Sequence, residues 1–580
     1  MKKLWQVYPK IQEDFKIKHP DINPVILQLL KNRKVKEEDF AWFLDPKFDS
    51  IPDPFLFKDM EKAVNIIISH IKERNKILIY GDYDADGITS TAILFEVLDT
   101  LHARIDAYMP DRASEGYGLN KAAIEKFAQE DVKLIITVDN GIRNKAEVEF
   151  AQSLGLEIIV TDHHVFPEDK NDWPGCLIIN PAHPEDNYPY KNLAGVGVAF
   201  KLASALTHHS KLNKEDKAKL LRKQLDLVAL GTVADLVPLL GENRALVKKG
   251  LEVMNSGLGF FHRGRLGLKQ LIKESGLDLQ RDLETWNISF QLAPRLNASG
   301  RLKHANTAFD LLTSKDKVEA KELSQELNLR NQKRQSITQE IVSEALNNIK
   351  DQENDMSVVA LGTENYWNEG VIGLVAGRLN DKYYKPALVI TQIKGKDGNL
   401  TFKGSGRSIA EFNLMETLED LSEYLDKYGG HPLACGFSVY SREKLDKFIS
   451  NFKKIAEEKL AGKKLLPKIS IDIELDIIDL SPELLVELDK LRPYGQNNSR
   501  PSLVSYNQKI DDIVFMGTKK QHIKFKFGET WGIAFGQSEK YKDLVLGDSV
   551  DVIYSPEFNH FNGSVSIQLK IIDLQKHGKQ

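Results

Sequence analysis

The segment Gly81-Asp82-Tyr83-Asp84-Ala85-Asp86-Gly87, GDYDADG, decides how the first half of the chain is read. Three carboxylates at alternate positions, closed by a glycine, match the opening of a calcium-binding EF-hand loop, which also demands an entering helix and a bidentate Glu at its twelfth position. Both demands fail. The twelfth position counted from Asp82 is Ile93, and Lys76-Ile-Leu-Ile-Tyr80 before the cluster is a short β-rich apolar run that predicts a buried strand. Residues 89–98, TSTAILFEVL, have helical spacing. The carboxylates therefore belong to a strand-to-helix turn, the place where open α/β sheets bind ligands.

Outward from this turn, apolar runs alternate with helical patterns up to about residue 235. Ile77–Tyr80, Ile105–Met109, Leu134–Val138, Ile158–Thr161 and Leu177–Asn180 are the expected strands, and such alternation predicts a parallel sheet with helices on both faces. Residues 315–350 contain neither Gly nor Pro and predict one long charged helix, able to bridge two domains. A second α/β unit follows, opening at Met356–Leu361 and carrying Ala387–Thr391. After about Gly462 the texture changes to short strands, among them Ile523–Phe527 and Ser549–Tyr554, which with the Asn562-Gly563 turn suggest a small β-barrel.

At 580 residues and 42% hydrophobic content the chain has ample material for several packed cores. The first residues, MKKLWQVYPKIQEDFKIKHP, lack the apolar stretch of a signal peptide, no run is apolar enough to span a bilayer, and two distant cysteines, Cys176 and Cys435, offer neither a disulfide framework nor a zinc knuckle. A cytoplasmic, multidomain protein without a membrane partner is expected. The balance of 79 basic against 83 acidic residues, a formal charge of −4, lends no support to a nucleic-acid partner on its own, although a local basic groove is compatible with it.

Two further expected strands end in donor groups: Leu134–Val138 runs into Asp139, and Ile158–Thr161 into Asp162-His163-His164. Asp235 follows a helical apolar run. Any one aspartate at a strand end is ordinarily a helix cap. Several on one edge of a parallel sheet, joined by histidine, make a mixed O/N site suited to Mn²⁺ or Mg²⁺, with too little sulfur and imidazole for structural zinc.

The order Asp84-x-Asp86, Asp139, Asp162-His163-His164, Asp235 resembles the DHH phosphoesterases, and within them the bacterial single-strand-specific 5′→3′ exonucleases. The resemblance extends over about residues 40–500 through Phe43–Pro46, Ala293-Pro-Arg-Leu-Asn-Ala-Ser-Gly-Arg301, Gly404-Ser-Gly-Arg-Ser408 and Gly429-Gly-His-Pro-Leu-Ala-Cys-Gly436. It implies an N-terminal extension (1–70) packed on a DHH domain (71–314), a connector helix (315–350), a DHHA1 α/β domain (351–462) and an OB-fold nucleic-acid-binding domain (463–580). It also implies two divalent ions, Mn²⁺ or Mg²⁺: Asp84 and Asp139, with Asp82, would hold one, and Asp86, Asp139, His163 and Asp235 the other. Asp82 and Asp162 read equally well as ligands or as supporting and capping groups.

His164 would face the scissile phosphate. Arg295, Asn297 and Arg301 would contact substrate phosphates; Ser405 and Arg407, in a glycine-rich segment read as a loop, would hold a terminal 5′-phosphate with Arg112, and Gly430 and His431 would close the cleft. In the last domain Lys519, Lys520, Lys524 and Lys526 with Phe525 and Phe527 are candidates for tracking the strand. Asn368 and the run Arg492-Pro-Tyr-Gly-Gln-Asn-Asn498 depart from the family pattern, the latter at an expected hinge into the terminal domain. The implied activity is release of 5′-mononucleotides from single-stranded DNA in repair and recombination by a monomer, with single-strand-binding protein and a RecQ-type helicase as partners. A phosphodiesterase of short oligonucleotides or cyclic dinucleotides, and an inactive DNA-binding scaffold, are the alternatives; the terminal domain argues against the first and the intact ligand set against the second.

Overall fold

The computed structural model describes residues 3–111, 115–256, 264–278, 281–302, 305–362, 367–394, 400–561 and 563–578, the side chains of 301, 302 and 561 excepted. Five strands form a parallel sheet in the order Arg104–Tyr108, Lys76–Tyr80, Val132–Val138, Glu157–Thr161, Leu177–Ile179. These are the five strands expected from the sequence, and the near-continuous apolar runs of Lys76–Tyr80, Val132–Val138 and Glu157–Thr161 are those of strands covered on both faces, whereas Arg104–Tyr108, at the edge, is only partly buried. The second strand is added on one side of the first and the third on the other. The sheet order thus reverses between Lys76–Tyr80 and Val132–Val138, and a crevice opens at their carboxyl ends. Helices Ala85–Thr100, Gly195–His209 and Lys214–Ala234 pack against one another beside it, with Ile93, Val97, Val198, Leu202 and Leu230 buried in one core with Ile136.

The predicted long helix spans Lys317–Asn348, begun by Asp316, whose side chain accepts from the backbone N–H of Val318 and Glu319. Its length follows from what it does. Ala320 and Leu327 are buried in the core of the first domain, whereas Ile341 and Ala345 belong to the core of the next. That second unit is a five-stranded sheet in the order Lys427–His431, Ala434–Val439, Leu400–Arg407, Ala387–Lys394, Val358–Gly362. The segment Gly404–Arg407 is therefore not a loop, as its glycines suggest, but a strand inside this sheet, antiparallel to both neighbours. Its glycines answer to packing: a Cβ on Gly404 would lie 2.0 Å from the Phe437 ring, and one on Gly406 would lie 2.7 Å from Cys435 Sγ.

The last domain is a seven-stranded sheet built around a long hairpin, Ser549–Phe561 and Ser564–Lys576. Asn562, half of the expected turn, lies outside the described residues. On the His522–Phe527 strand, Ile523, Phe525 and Phe527 point into the core and Lys524 and Lys526 lie on the other face. Phe525 and Phe527 are thus not available for stacking on bases.

The two ends of the chain are sewn together. Strand Leu4–Val7 pairs in parallel with Lys468–Ile471, and Ile26, Leu30, Phe40 and Phe43 share a core with Leu484, Leu488 and Leu491. Arg244, on helix Gly241–Ser256, is buried at this seam with its guanidinium 4.2 Å from the centre of the Phe43 ring. It donates to the carbonyls of Phe43, Lys490, Leu491, Arg492 and Pro493. Burial pulls its pKa down to about 9. The Arg492–Asn498 segment, expected as a hinge, is consequently tied in place: Tyr494 O accepts from Thr285 Oγ1 at 2.5 Å, Gln496 O from Leu239 N at 2.9 Å, and Asn498 Nδ2 donates to Leu491 O and Pro493 O.

Candidate metal centre

Each donor sits where the sheet delivers it. Asp84 caps helix Ala85–Thr100, its Oδ1 accepting from the N–H of Asp86 at 2.9 Å and Gly87 at 3.1 Å, which leaves the carboxylate at the mouth of the crevice. Asp86, in the first turn, is held from outside: Oδ2 accepts from Gly195 N at 2.7 Å and Oδ1 from Val196 N at 2.8 Å, both at the start of helix Gly195–His209. Asp139 follows the Val132–Val138 strand with φ +63°, a left-handed backbone that a non-glycine residue adopts at a cost of about 1–3 kcal/mol. Glycines clear the space. A Cβ on Gly195 would lie 2.7 Å from Asp139 Oδ1, and one on Gly231 would lie 3.0 Å from Asp86 Oδ1.

The side chains converge as three groups, in each of which the donor atoms lie within 4.8 Å of one another: Asp82–Asp84–Asp139 and Asp86–His163–Asp235 share no residue, and Asp139–His163–His164 joins them, taking Asp139 from one and His163 from the other. His163 Nε2 is the hub, 3.1 Å from Asp139 Oδ1, 3.7 Å from Asp235 Oδ2 and 3.8 Å from Asp86 Oδ2. Asp162 looks the other way. Its Oδ2 accepts from Ile142 N at 3.0 Å, and its Oδ1 accepts from His163 N at 2.7 Å, His164 N at 3.1 Å and His164 Nδ1 at 2.8 Å. It shapes the His-His turn and grips the second ring.

Burial, reinforced by the neighbouring carboxylates, pushes Asp86 up to about 7 and Asp235 up to about 9, and holds Asp139 well above the usual carboxylate range. His163 is driven down to about 4 by burial and by His164, so its ring is neutral at physiological pH. For His164 burial opposes protonation, but the hydrogen bond and charge of Asp162 outweigh it and raise its pKa.

These residues fit divalent cations. Asp139 Oδ1 and His163 Nε2 are buried, face one another, and make no hydrogen bond. Two ligands at right angles on an ion with bonds of about 2.1 Å lie about 3 Å apart, which is the separation seen here. Carboxylates with one neutral imidazole form the hard, mixed donor set of Mn²⁺ or Mg²⁺.

The other expected residues are dispersed over the molecule. Asn297 lines the same pocket, together with Asp82, Tyr83, Asp84, Tyr117, Asp139, His164 and Asp235. Its Oδ1 accepts from Ala85 N at 2.7 Å, so helix Ala293–Leu302 buttresses the metal loop, and Gly300 lets it approach, since a Cβ there would lie 2.5 Å from Tyr83 O. Arg295 is engaged by the connector helix, donating to Asn328 Oδ1 at 3.0 Å and to Gln291 O at 2.5 Å. Arg112 and the side chain of Arg301 lie outside the described residues.

Ser405 and Arg407 stand together, half-buried, on the face of the second sheet that helix Ile372–Tyr383 covers, Arg407 Nη1 lying 3.4 Å from Ser405 Oγ. The first turn of helix Ile372–Tyr383 lies over both: a Cβ on Gly373 would be 3.1 Å from Ser405 Oγ and 3.3 Å from Arg407 Nη2. Gly430 and His431 belong to the exposed edge strand, His431 aligned across Ala434 with Arg407. Asn368 closes a local turn by accepting from Gly370 N.

Tyr117 is the residue that sequence reading passed over. Its hydroxyl donates to Asp139 O at 3.2 Å and lies 3.2 Å from His164 Nδ1, so it bridges two donor strands from a loop with no motif of its own.

The fold and donor set are those of a metal-dependent phosphoesterase of the DHH type. Residues 76–232 match the DHH family N-terminal domain, 355–458 the DHHA1 domain and 471–573 the RecJ OB domain. The chain is 37% identical to the single-stranded-DNA-specific exonuclease RecJ of Bacillus subtilis over 99% of its own length and 71% of that protein, and 34% identical to RecJ of Escherichia coli over 89% of each. The crystal structure of Thermus thermophilus RecJ with Mn²⁺ superposes with a TM-score of 0.81 at 28% identity, covering 99% of this chain and 79% of that one; the Mg²⁺ complex gives 0.76 at 26%, covering 99% and 78%. The chain belongs to the RecJ family of single-stranded-DNA-specific exonucleases.

Proposed function

We propose that this chain removes 5′-mononucleotides from single-stranded DNA in the 5′→3′ direction, and that the 3.1 Å approach of Asp139 Oδ1 to His163 Nε2, which joins the Asp82–Asp84–Asp139 group to the Asp86–His163–Asp235 group, is the observation that carries the mechanism. Asp84 and Asp139, with Asp82, hold one ion, and Asp86, Asp139, His163 and Asp235 the other. Two divalent ions in these positions supply an activated water and neutralise charge on the phosphoryl oxygens. Asp162 holds His164 in an orientation that would present its ring to the scissile phosphate, and its hydrogen bond and charge raise the His164 pKa. Arg112, Arg295, Asn297 and Arg301 line the strand's path or support the residues that do, and Gly430 and His431 lie on its far wall.

Polarity comes from the second domain. Ser405, Arg407 and the amino end of helix Ile372–Tyr383 offer a hydroxyl, a forked cation and helix N–H groups, a set suited to a terminal phosphate. A strand anchored there presents its first phosphodiester to the metals, and a duplex end is too wide to follow. In the cytoplasm a monomer of this kind would receive strands opened by a RecQ-type helicase and covered by single-strand-binding protein.

The deciding experiment incubates the protein with Mn²⁺ and single-stranded, double-stranded and dinucleotide substrates labelled at either end. We expect 5′-mononucleotides from single strands, released from the 5′ end. Digestion from the 3′ end, or preference for the dinucleotide over the long strand, would overturn the proposal.

A further inference from the structure

Behind Asp235 lies a cavity of about 800 Å³, walled by the catalytic domain on one side and by the Arg492–Gln496 segment, Arg500, Glu557 and Lys570 on the other. Asp235 lines the catalytic pocket, while its neighbours Val233, Leu236 and Val237 line this cavity, so the two adjoin across one turn. Trp286 and Phe290 stand in its wall, stacked on each other with centroids 5.4 Å apart and planes 27° from parallel. They are 53% and 65% exposed. Two large rings left in water side by side form the sort of patch that marks a binding surface.

The segment that carries them is tied to the last domain at its start. Phe290 lies in a π-helical stretch, Ile288–Leu292, a geometry concentrated at functional sites. Just before it, Glu284 is clamped by Arg492 and by Arg500, the latter at 2.8 Å. The same two arginines neutralise Asp489 at 2.7 Å and Glu557 at 3.6 Å. The wall between the rings and the last domain is thus balanced in charge, and what it presents is π-surface rather than a cationic track.

We propose that Trp286 and Phe290 form a base-stacking platform for the unhydrolysed part of the DNA strand as it approaches the metal site. This rests on the reading of single-stranded DNA as substrate and adds the residues that recognise it. Aromatic rings read the faces of bases, and only an unpaired strand offers those faces along its length. The platform would therefore favour single strands at a position remote from the 5′-phosphate. The adjoining catalytic pocket favours DNA over a protein segment as the occupant.

Compare wild type with Trp286→Ala/Phe290→Ala and with Trp286→Phe on a 5′-phosphorylated 20-mer and a 5′-phosphorylated dinucleotide, measuring KM and kcat with Mn²⁺. A stacking platform raises KM for the 20-mer about tenfold or more in the double variant, with a much smaller change on the dinucleotide, and Trp286→Phe retains most of the affinity. As a second measurement, a 20-mer carrying a photoreactive pyrimidine at successive positions should cross-link to Trp286 or Phe290 at interior positions only. Equal losses on the 20-mer and the dinucleotide, or an unchanged KM for the 20-mer, would overturn the proposal, and the unchanged KM would assign the surface to a protein ligand instead. Absence of hydrolysis of any DNA by wild type would refute the exonuclease reading itself, a result distinguishable from both.

Discussion

Asp139 is doubly constrained, by its place between two donor groups and by its left-handed backbone. Asn is among the few residues that adopt that backbone readily, so Asp139→Asn isolates the charge. We expect turnover below about a tenth of wild type with saturating Mn²⁺, and a smaller rise in melting temperature on adding Mn²⁺, since what is lost is the carboxylate that would be shared between the ions. Higher residual turnover would break the assignment of Asp139 as the bridge. Asp86, at about 7, and Asp235, at about 9, bear on stability. Their folded-state values lie above those of an unfolded chain, so the folded protein binds protons more tightly and loses stability as pH rises. In chelator the melting temperature should fall between about pH 6 and about pH 9, and the increment given by Mn²⁺ should grow over the same range as ions replace protons. Thermal melts with and without Mn²⁺ read both slopes, and an increment that shrinks with pH contradicts the site. At this scale the sequence was informative where donors end apolar runs, as at Asp84, Asp139 and His163. It was silent on Tyr117, whose role comes from a loop path that no periodicity encodes.

At the scale of elements, legibility followed burial. The central parallel strands could be placed because strands covered on both faces are nearly continuous apolar runs, and the connector helix because it lacks Gly and Pro over its whole length. Gly404–Arg407 misled because its glycines are set by Phe437 and Cys435, some thirty residues further on, rather than by local backbone need. The ladder consumes this strand's backbone donors, so a phosphate bound there, as proposed, would be met by the side chains of Ser405 and Arg407 and by the helix above them. Arg407→Ala should cost about 1.5–3 kcal/mol in kcat/KM on 5′-phosphorylated single strands, the value of a hydrogen bond to a charged group. Strands with a 5′-hydroxyl should be much less affected, and Mn²⁺ affinity should stay at the wild-type level. Kinetics on the two kinds of end settle the matter, and an equal loss on both would remove Arg407 from the 5′ pocket.

For the whole molecule, the seam around Arg244 decides how the last domain is carried. A buried guanidinium that satisfies carbonyls of Phe43 and of Lys490–Pro493 reads backbone position on two segments at once. Arg244→Met keeps much of the volume and removes the donors. Each orphaned buried carbonyl costs about 1–3 kcal/mol, so the loss should be at least about 3 kcal/mol in total. Differential scanning calorimetry should show the melting temperature falling, and protease should reach the Arg492–Asn498 segment first. A variant that melts like wild type would mean that the apolar contacts of the seam suffice without it.

The pairing of Leu4–Val7 with Lys468–Ile471 also sets an order of events during synthesis. All the metal donors, from Asp82 to Asp235, leave the ribosome before the midpoint of the chain. The strand at the start must wait for its partner about 25–90 s at roughly 5–20 residues per second. The core of the domain that carries these donors closes only with Ala320 and Leu327 on the connector helix, so the nascent chain can complete that domain while the last one, and with it the partner of its first strand, is still being made.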